Sequence, residues 1–186
     1  MLRKGLAFAA LSLGALLALA PSVKAQVANP WELTLSGTGS NGPDFNGVNA
    51  AVNVGVGYYL TDTATSALEV GGRQALTFSD IGGSGPGGKG SALNASTAVF
   101  LDYHFKFGDH GEWQPYVGAN IGFVYGDTVS DSFEAGPEGG VKYYVNANTF
   151  IQLSVEYQFF FNKGSDASDA FSDGQFIYGL GIGFRF

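Results

Sequence analysis

Apolar and polar side chains alternate residue by residue through most of this chain. In "FIQLSVEYQFFF" (150–161), Ile151, Leu153, Val155, Tyr157, Phe159 and Phe161 share one parity, and Gln152, Ser154, Glu156 and Gln158 share the other. A period of two is that of a strand with one apolar side; a helix would scatter both sets around its axis. "GVNAAVNVGVGYYL" (47–60) repeats the pattern, with Val48, Val52, Val54, Val56, Tyr58 and Leu60 opposite Asn49, Asn53, Gly55 and Gly57. "LNASTAVFLDYHFKF" (93–107) sets Leu93, Val99, Leu101, Tyr103, Phe105 and Phe107 against Asn94, Ser96, Asp102, His104 and Lys106. Weaker versions occupy 31–39, 67–78, 115–125, 133–145 and 175–186, so eight strands are expected. Gln74 interrupts the apolar face of the third strand, and Gly72 and Gly139 leave gaps in two faces.

The connections alternate too. "TDTAT", "GDHGEW" and "NAN" are tight, whereas "NGPDFN", "SDIGGSGPGGKGS", "GDTVSDS" and "NKGSDASDAFSD" are on average longer and rich in Gly, Ser and Asp. That rhythm predicts an antiparallel up-and-down barrel with all tight turns at one end, both chain ends beside them, and four loops at the other.

Period two does not say which face points inward, and a soluble carrier would place the apolar face inside. The polar face decides. It carries Glu32, Glu69, Arg73, Asp102, Lys106, Glu134, Glu138, Lys142, Glu156 and Arg185 together with many of the chain's 29 glycines. A solvent face has little reason to be so poor in volume, whereas the narrow interior of an eight-stranded barrel must mix small and large side chains. Aromatic residues of the apolar face bunch at both strand ends: Trp31, Tyr58, Tyr103, Phe105, Tyr143 and Phe184 by the turns, and Phe78, Tyr125, Phe159, Phe161, Phe176 and Tyr178 by the loops. These are the two girdles of a transmembrane barrel with a lipid-facing exterior and a polar lumen.

The N-terminus is consistent with export. Arg3 and Lys4 precede the apolar run "GLAFAALSLGALLALA", and Val23-Lys24-Ala25 offers a cleavage site, so residues 1–25 are expected to be a signal peptide and 26–186 the barrel domain. Removal of Arg3, Lys4 and Lys24 would take the formal charge from −7 to −10, which excludes nucleic acid as a partner. With no cysteine, neither a lipid-modified N-terminus nor a disulfide is available.

"QPYVGANIGFVYGD", "EAGPEGGVKYYVNANTFIQLSVEYQFFF" and the final "YGLGIGFRF" resemble the small eight-stranded outer-membrane barrels of the OmpA/OmpX type. The resemblance implies a bacterial outer-membrane location with periplasmic termini and extracellular loops. It carries no particular activity, because members range from tethers to adhesins. The peptidoglycan-binding domain that follows the barrel in OmpA itself is not expected here.

Several motifs carry no chemistry. "GSGPGGKGS" has G-x-x-x-x-G-K from Gly83 to Lys89, but Gly90 stands where a Ser or Thr would meet magnesium, and a strand rather than a helix follows. "GTGSNG" sits on a hairpin strand, and the Asn94-Ala95-Ser96 glycosylation pattern lies within a strand. His104 and Asp102 read either as a catalytic or metal pair or as members of a satisfied polar network; the network is the expectation, with no catalytic residue, metal or cofactor. The lumenal candidates are Glu69, Arg73, Asp102, His104, Lys106, Glu138, Lys142, Glu156 and Arg185. Mixed signs in so narrow a space should pair and plug the barrel, whereas an open pore more often presents a ring of one sign. A structural or surface role is therefore expected first, a narrow low-conductance pore second, and a lipid-modifying enzyme a distant third. Outer-membrane lipid is the expected surrounding partner. Asp44, Asp80, Asp127, Asp131, Asp166, Asp169 and Asp173 make the loops acidic, suited to divalent cations or external ligands.

Tyr178, Leu180, Ile182, Phe184 and Phe186 share the lipid face of the last strand, and the resemblance implies that they are read by the barrel-assembly machinery. Deleting Phe186 should impair insertion in cells far more than refolding in detergent; equal loss in the two settings would make the residue structural only.

Overall fold

In the computed structural model, the described residues are 29–41, 49–82, 89–127, 131–161 and 174–186. Eight strands follow one another: β1 (Trp31–Asn41), β2 (Asn49–Asp62), β3 (Ser66–Gly82), β4 (Lys89–Phe105), β5 (Trp113–Gly126), β6 (Ser132–Tyr144), β7 (Thr149–Phe161) and β8 (Gln175–Arg185). Each pairs antiparallel with its neighbours in sequence, and β8 returns to β1, so the barrel is closed. The signal-peptide segment 1–25 and the loop stretches 42–48, 83–88, 128–130 and 162–173 lie outside the described residues.

The expected strands are present, with shifted ends. The third and fourth are longer than the sequence pattern suggested, because backbone pairing continues from Phe78↔Leu93 to Gly82↔Lys89. Lys89, Gly90 and Ser91, expected in a loop, are therefore strand residues. Alternation thins there, but main-chain pairing does not need it.

The seam is closed from Glu32↔Arg185 to Asn41↔Phe176. Beyond it, Trp31 N donates to Phe186 O (3.1 Å) and Phe186 N donates to Trp31 O (2.9 Å). The Phe186 side chain itself is exposed on the outer face. Its backbone thus contributes to closure, which makes Phe186→Ala, sparing the main chain, a cleaner test of the side chain than deletion.

The sidedness is the expected one. Leu35, Val54, Leu101, Val117, Leu153 and Leu180 are exposed on the outside, while the largest fully buried side chains are Tyr59, Lys142, Phe150, His104, Glu69 and Glu134. An interior of charges and rings beneath an apolar skin is the inverse of a water-soluble core. The girdles form ring pairs: Trp31–Tyr58 (centroids 4.9 Å) and Trp113–Tyr143 (4.6 Å) by the turns, Tyr157–Phe176 (4.7 Å) and Phe123–Phe133 (5.1 Å) by the loops.

One irregularity matters for the lumen. The β2–β3 register runs Tyr59↔Glu69 and then Thr61↔Leu68, so Leu60 is the extra residue of a bulge. Before it the even positions of β2 face lipid; after it Asp62, also even, is turned toward the lumen, where it meets Lys106 and Arg185. Strict alternation had assigned Leu60 to a continuous apolar face, and that face ends at the bulge.

Large lumenal rings fit because glycines stand opposite them. A Cβ on Gly183 would fall 2.0 Å from the Phe150 ring, and one on Gly71 would fall 2.2 Å from the Phe100 ring. Gly183→Ala should therefore lower the stability of the refolded barrel by about 1–3 kcal/mol, the usual cost of overpacking, as read by urea unfolding. Adding Phe150→Leu should recover part of the loss.

Candidate functional site

Inward-facing side chains from seven of the eight strands cross the lumen in three layers of charge. Nearest the turns, Arg185 Nη2 on β8 donates to Asp62 Oδ2 on β2 (2.9 Å), and Lys106, just beyond β4, pairs with Asp62 Oδ1. Arg185 also lies over the Tyr59 ring, 3.8 Å from its centroid.

In the middle layer Lys142 on β6 reaches across the barrel. Its Nζ donates to Glu32 Oε1 on β1 (2.6 Å) and to Glu69 Oε2 on β3 (2.8 Å). Glu32 Oε2 accepts from Tyr59 Oη (2.8 Å), and Glu69 Oε2 also meets His104 Nε2 (2.9 Å). Phe150, Tyr59 and Tyr116 surround the ammonium, with Phe150 4.9 Å from Nζ. An ammonium withdrawn from water in this way persists only because two carboxylates and three ring faces replace its hydration.

In the layer toward the loops, Arg73 Nη2 on β3 donates to Glu138 Oε2 on β6 (2.6 Å) and Glu156 Oε2 on β7 (2.7 Å). Asn120 Nδ2 adds a second donor to Glu138 Oε2 (2.7 Å). Of the three acids expected as candidate partners of Arg73, Glu138 and Glu156 pair with it. Glu69, four residues earlier on the same strand, is taken by Lys142 and His104 instead.

Two acids stand outside these pairs. Among the described residues no base forms an ion pair with Asp102 or Glu134. Glu134 accepts from Gln158 Nε2, and Asp102 stands opposite Glu69 in the β3–β4 register. Above the middle layer a cavity of about 620 Å³ runs from Glu32, Glu69 and Lys142 to the loop-end residues Ser40, Thr77 and Gln175. Below it, ion pairs and rings fill the lumen.

All nine expected lumenal residues, Glu69, Arg73, Asp102, His104, Lys106, Glu138, Lys142, Glu156 and Arg185, do face inward. Sequence reasoning missed Asp62, whose parity the bulge reverses, and the rings Tyr59, Tyr116 and Phe150. The lumenal parity of all three rings was readable, because Tyr59 precedes the bulge, but a ring is the side chain a lipid-facing surface carries as well. The assembly-signal residues Tyr178, Leu180, Ile182, Phe184 and Phe186 lie on the outer face. Gln74, the interruption in the third strand, is explained by its neighbours: its Oε1 accepts from Thr97 Oγ1 (2.6 Å) and its Nε2 donates to Tyr125 Oη (3.2 Å), a small polar cluster on the outer face.

Replacing Arg73 by Ala would leave Glu138 and Glu156 buried without their cation. The barrel should lose roughly 3–5 kcal/mol, whereas an Arg73→Ala, Glu138→Gln, Glu156→Gln triple variant should regain much of it. Denaturant unfolding of the refolded proteins checks both.

No family profile matches the chain. It is 27% identical over 138 residues to outer membrane porin F of Pseudomonas aeruginosa, a match covering 70% of this chain and 37% of the relative. The chain therefore spans little more than a third of that protein's length. The solved N-terminal β-barrel domain of Pseudomonas aeruginosa OprF superposes with a TM-score of 0.55 at 21% identity, covering 83% of this chain and 97% of that one. Neisserial surface protein A gives a TM-score of 0.56 at 13% identity, covering 84% and 96%. The outer membrane enzyme PagL gives 0.51 at 17% identity, covering 82% and 99%. With its closed eight-stranded ring and apolar exterior, the chain has the fold of these proteins, an eight-stranded antiparallel β-barrel.

Proposed function

We propose that this barrel serves the bacterial outer membrane as a structural or surface-interaction protein whose lumen is a plug. The observation that carries the reading is the middle layer: one lysine reaches across from β6 to acids on β1 and β3 at 2.6 and 2.8 Å, and aromatic rings close the space around it. A hydrated ion crossing that layer would have to displace Lys142 from both carboxylates, leaving buried charges unpaired at a cost of several kcal/mol. In this reading the turns and both termini are periplasmic, the four loops are extracellular and meet divalent cations or external ligands, the assembly machinery reads the aromatic face of β8, and no catalytic step is involved.

A narrow pore is the second reading, favoured by the cavity that already occupies the loop-side half of the lumen. Planar bilayers separate the two. The wild-type barrel should pass no steady current, and Lys142→Ala, which opens the middle layer, should raise the frequency of conducting events. Large steady currents from the wild type would overturn the plug.

Orientation has its own test. Protease added to intact cells should cut within residues 83–88 or 162–173 and spare the turn at 109–112. Cutting at that turn alone would invert the topology.

A further inference from the structure

Asp102 and Glu134 are the lumenal acids that no base reaches among the described residues. Both are buried, and Asp102 Oδ1 has no hydrogen-bond partner. Each carboxylate lies over a glycine of β5: a methyl on Gly118 would strike Asp102 Oδ1, and one on Gly122 would strike Glu134 Oε1. Those glycines are four residues apart on one strand, so the two carboxylates stand about 13 Å apart along the wall. Both side chains line the 620 Å³ cavity, which has the size of a small-molecule pocket.

We propose that this cavity is a binding site for a linear aliphatic diammonium ion, with one ammonium at Asp102 and the other at Glu134. Charge selects a cation. Above the middle layer Asp102, Glu134, Glu138 and Glu156 line the cavity, and the base among them is Arg73, which Glu138 and Glu156 already hold. Spacing selects the shape. A metal ion keeps its ligand atoms about 2–2.5 Å from its centre, so carboxylates this far apart do not share one. A rod charged at both ends reaches both. With a charge-assisted hydrogen bond of about 2.8 Å at each end, its nitrogens would stand about 7–8 Å apart, the span of about five methylenes.

The walls suit such a rod. Phe100, two residues from Asp102 on β4, and Val124, two residues from Gly122 on β5, line the cavity and offer apolar surface to the methylenes. Ser36 and Thr38 on β1 and Thr77 on β3 offer hydroxyl oxygens to the remaining N–H groups. Gly55 on β2 lines the same space, at the register level of Arg73, Ala98 and Gly122. A Cβ there would meet nothing closer than 3.8 Å, so packing does not demand this glycine; its effect is to keep the space open. Binding uses the loop-side space alone and leaves Lys142 joined to Glu32 and Glu69.

The test is calorimetric titration of the terminal diamines of propane and pentane, and of pentylamine, into the refolded barrel in uncharged detergent micelles. One pentane diamine per barrel is expected. It should bind at least about tenfold tighter than pentylamine or the propane diamine, as the loss of one hydrogen bond between charged groups implies. Asp102→Asn and Glu134→Gln should each remove that advantage, so that the diamine binds no better than pentylamine. Gly55→Leu, which fills the space and keeps every charge, should weaken the diamine, whereas Asp109→Asn on the exposed turn should change nothing. Heat-modified gel mobility reports whether each variant is folded. If the variants fail to fold, the wild-type comparison of the three amines decides. No saturable binding would show that protons alone neutralise the two acids. Equal binding of diamine and pentylamine by the wild type, or an advantage that survives both acid variants, would place the amine outside the cavity. Each of these outcomes overturns the site.

Discussion

A chain crossing a bilayer must satisfy every main-chain N–H and C=O from within itself, because hydrocarbon offers no hydrogen bonds. A helix meets that demand residue by residue; strands meet it only when the last pairs with the first. Here the demand is met by the β1–β8 ladder and finished by the reciprocal Trp31–Phe186 bonds. Closure at eight strands then determines how wide the interior is, and the width determines what the interior can hold.

A lumen this narrow must be filled, and large and small residues share the work. Phe150 lies where Gly183 leaves room, and Phe100 where Gly71 does. The remaining inward positions carry charge, and buried charge must be answered. Lys142, Arg73 and Arg185 each answer acids on other strands, so the ion pairs brace the ring across its middle.

The balance is uneven along the barrel axis. Near the turns two bases share Asp62, and the middle layer joins one base to two acids. Toward the loops Arg73 alone faces Glu138 and Glu156, with Glu134 above it and Asp102 beside it. The cavity occupies this anionic half. A negative, polar space above the paired layers favours cations over anions.

Alternation in the sequence was enough to define the strands, the sidedness and the lumenal position of all nine expected residues, since period two is a local property that neighbouring side chains enforce. Gly and aromatic placement showed which face meets lipid for the same reason: each residue type reports its own surroundings. Partnership is different. That Arg73 meets Glu138 and Glu156 while Glu69 meets Lys142 depends on the shear of distant strands, which no local pattern records. Asp62 shows the limit most plainly. Its parity reads as lipid-facing, and only the extra residue at Leu60, a feature of how β2 pairs with β3, turns it into the barrel. The sequence alone determined which side of the wall each strand residue should occupy; only the closed ring, by bringing opposite walls within reach, decided which charges touch.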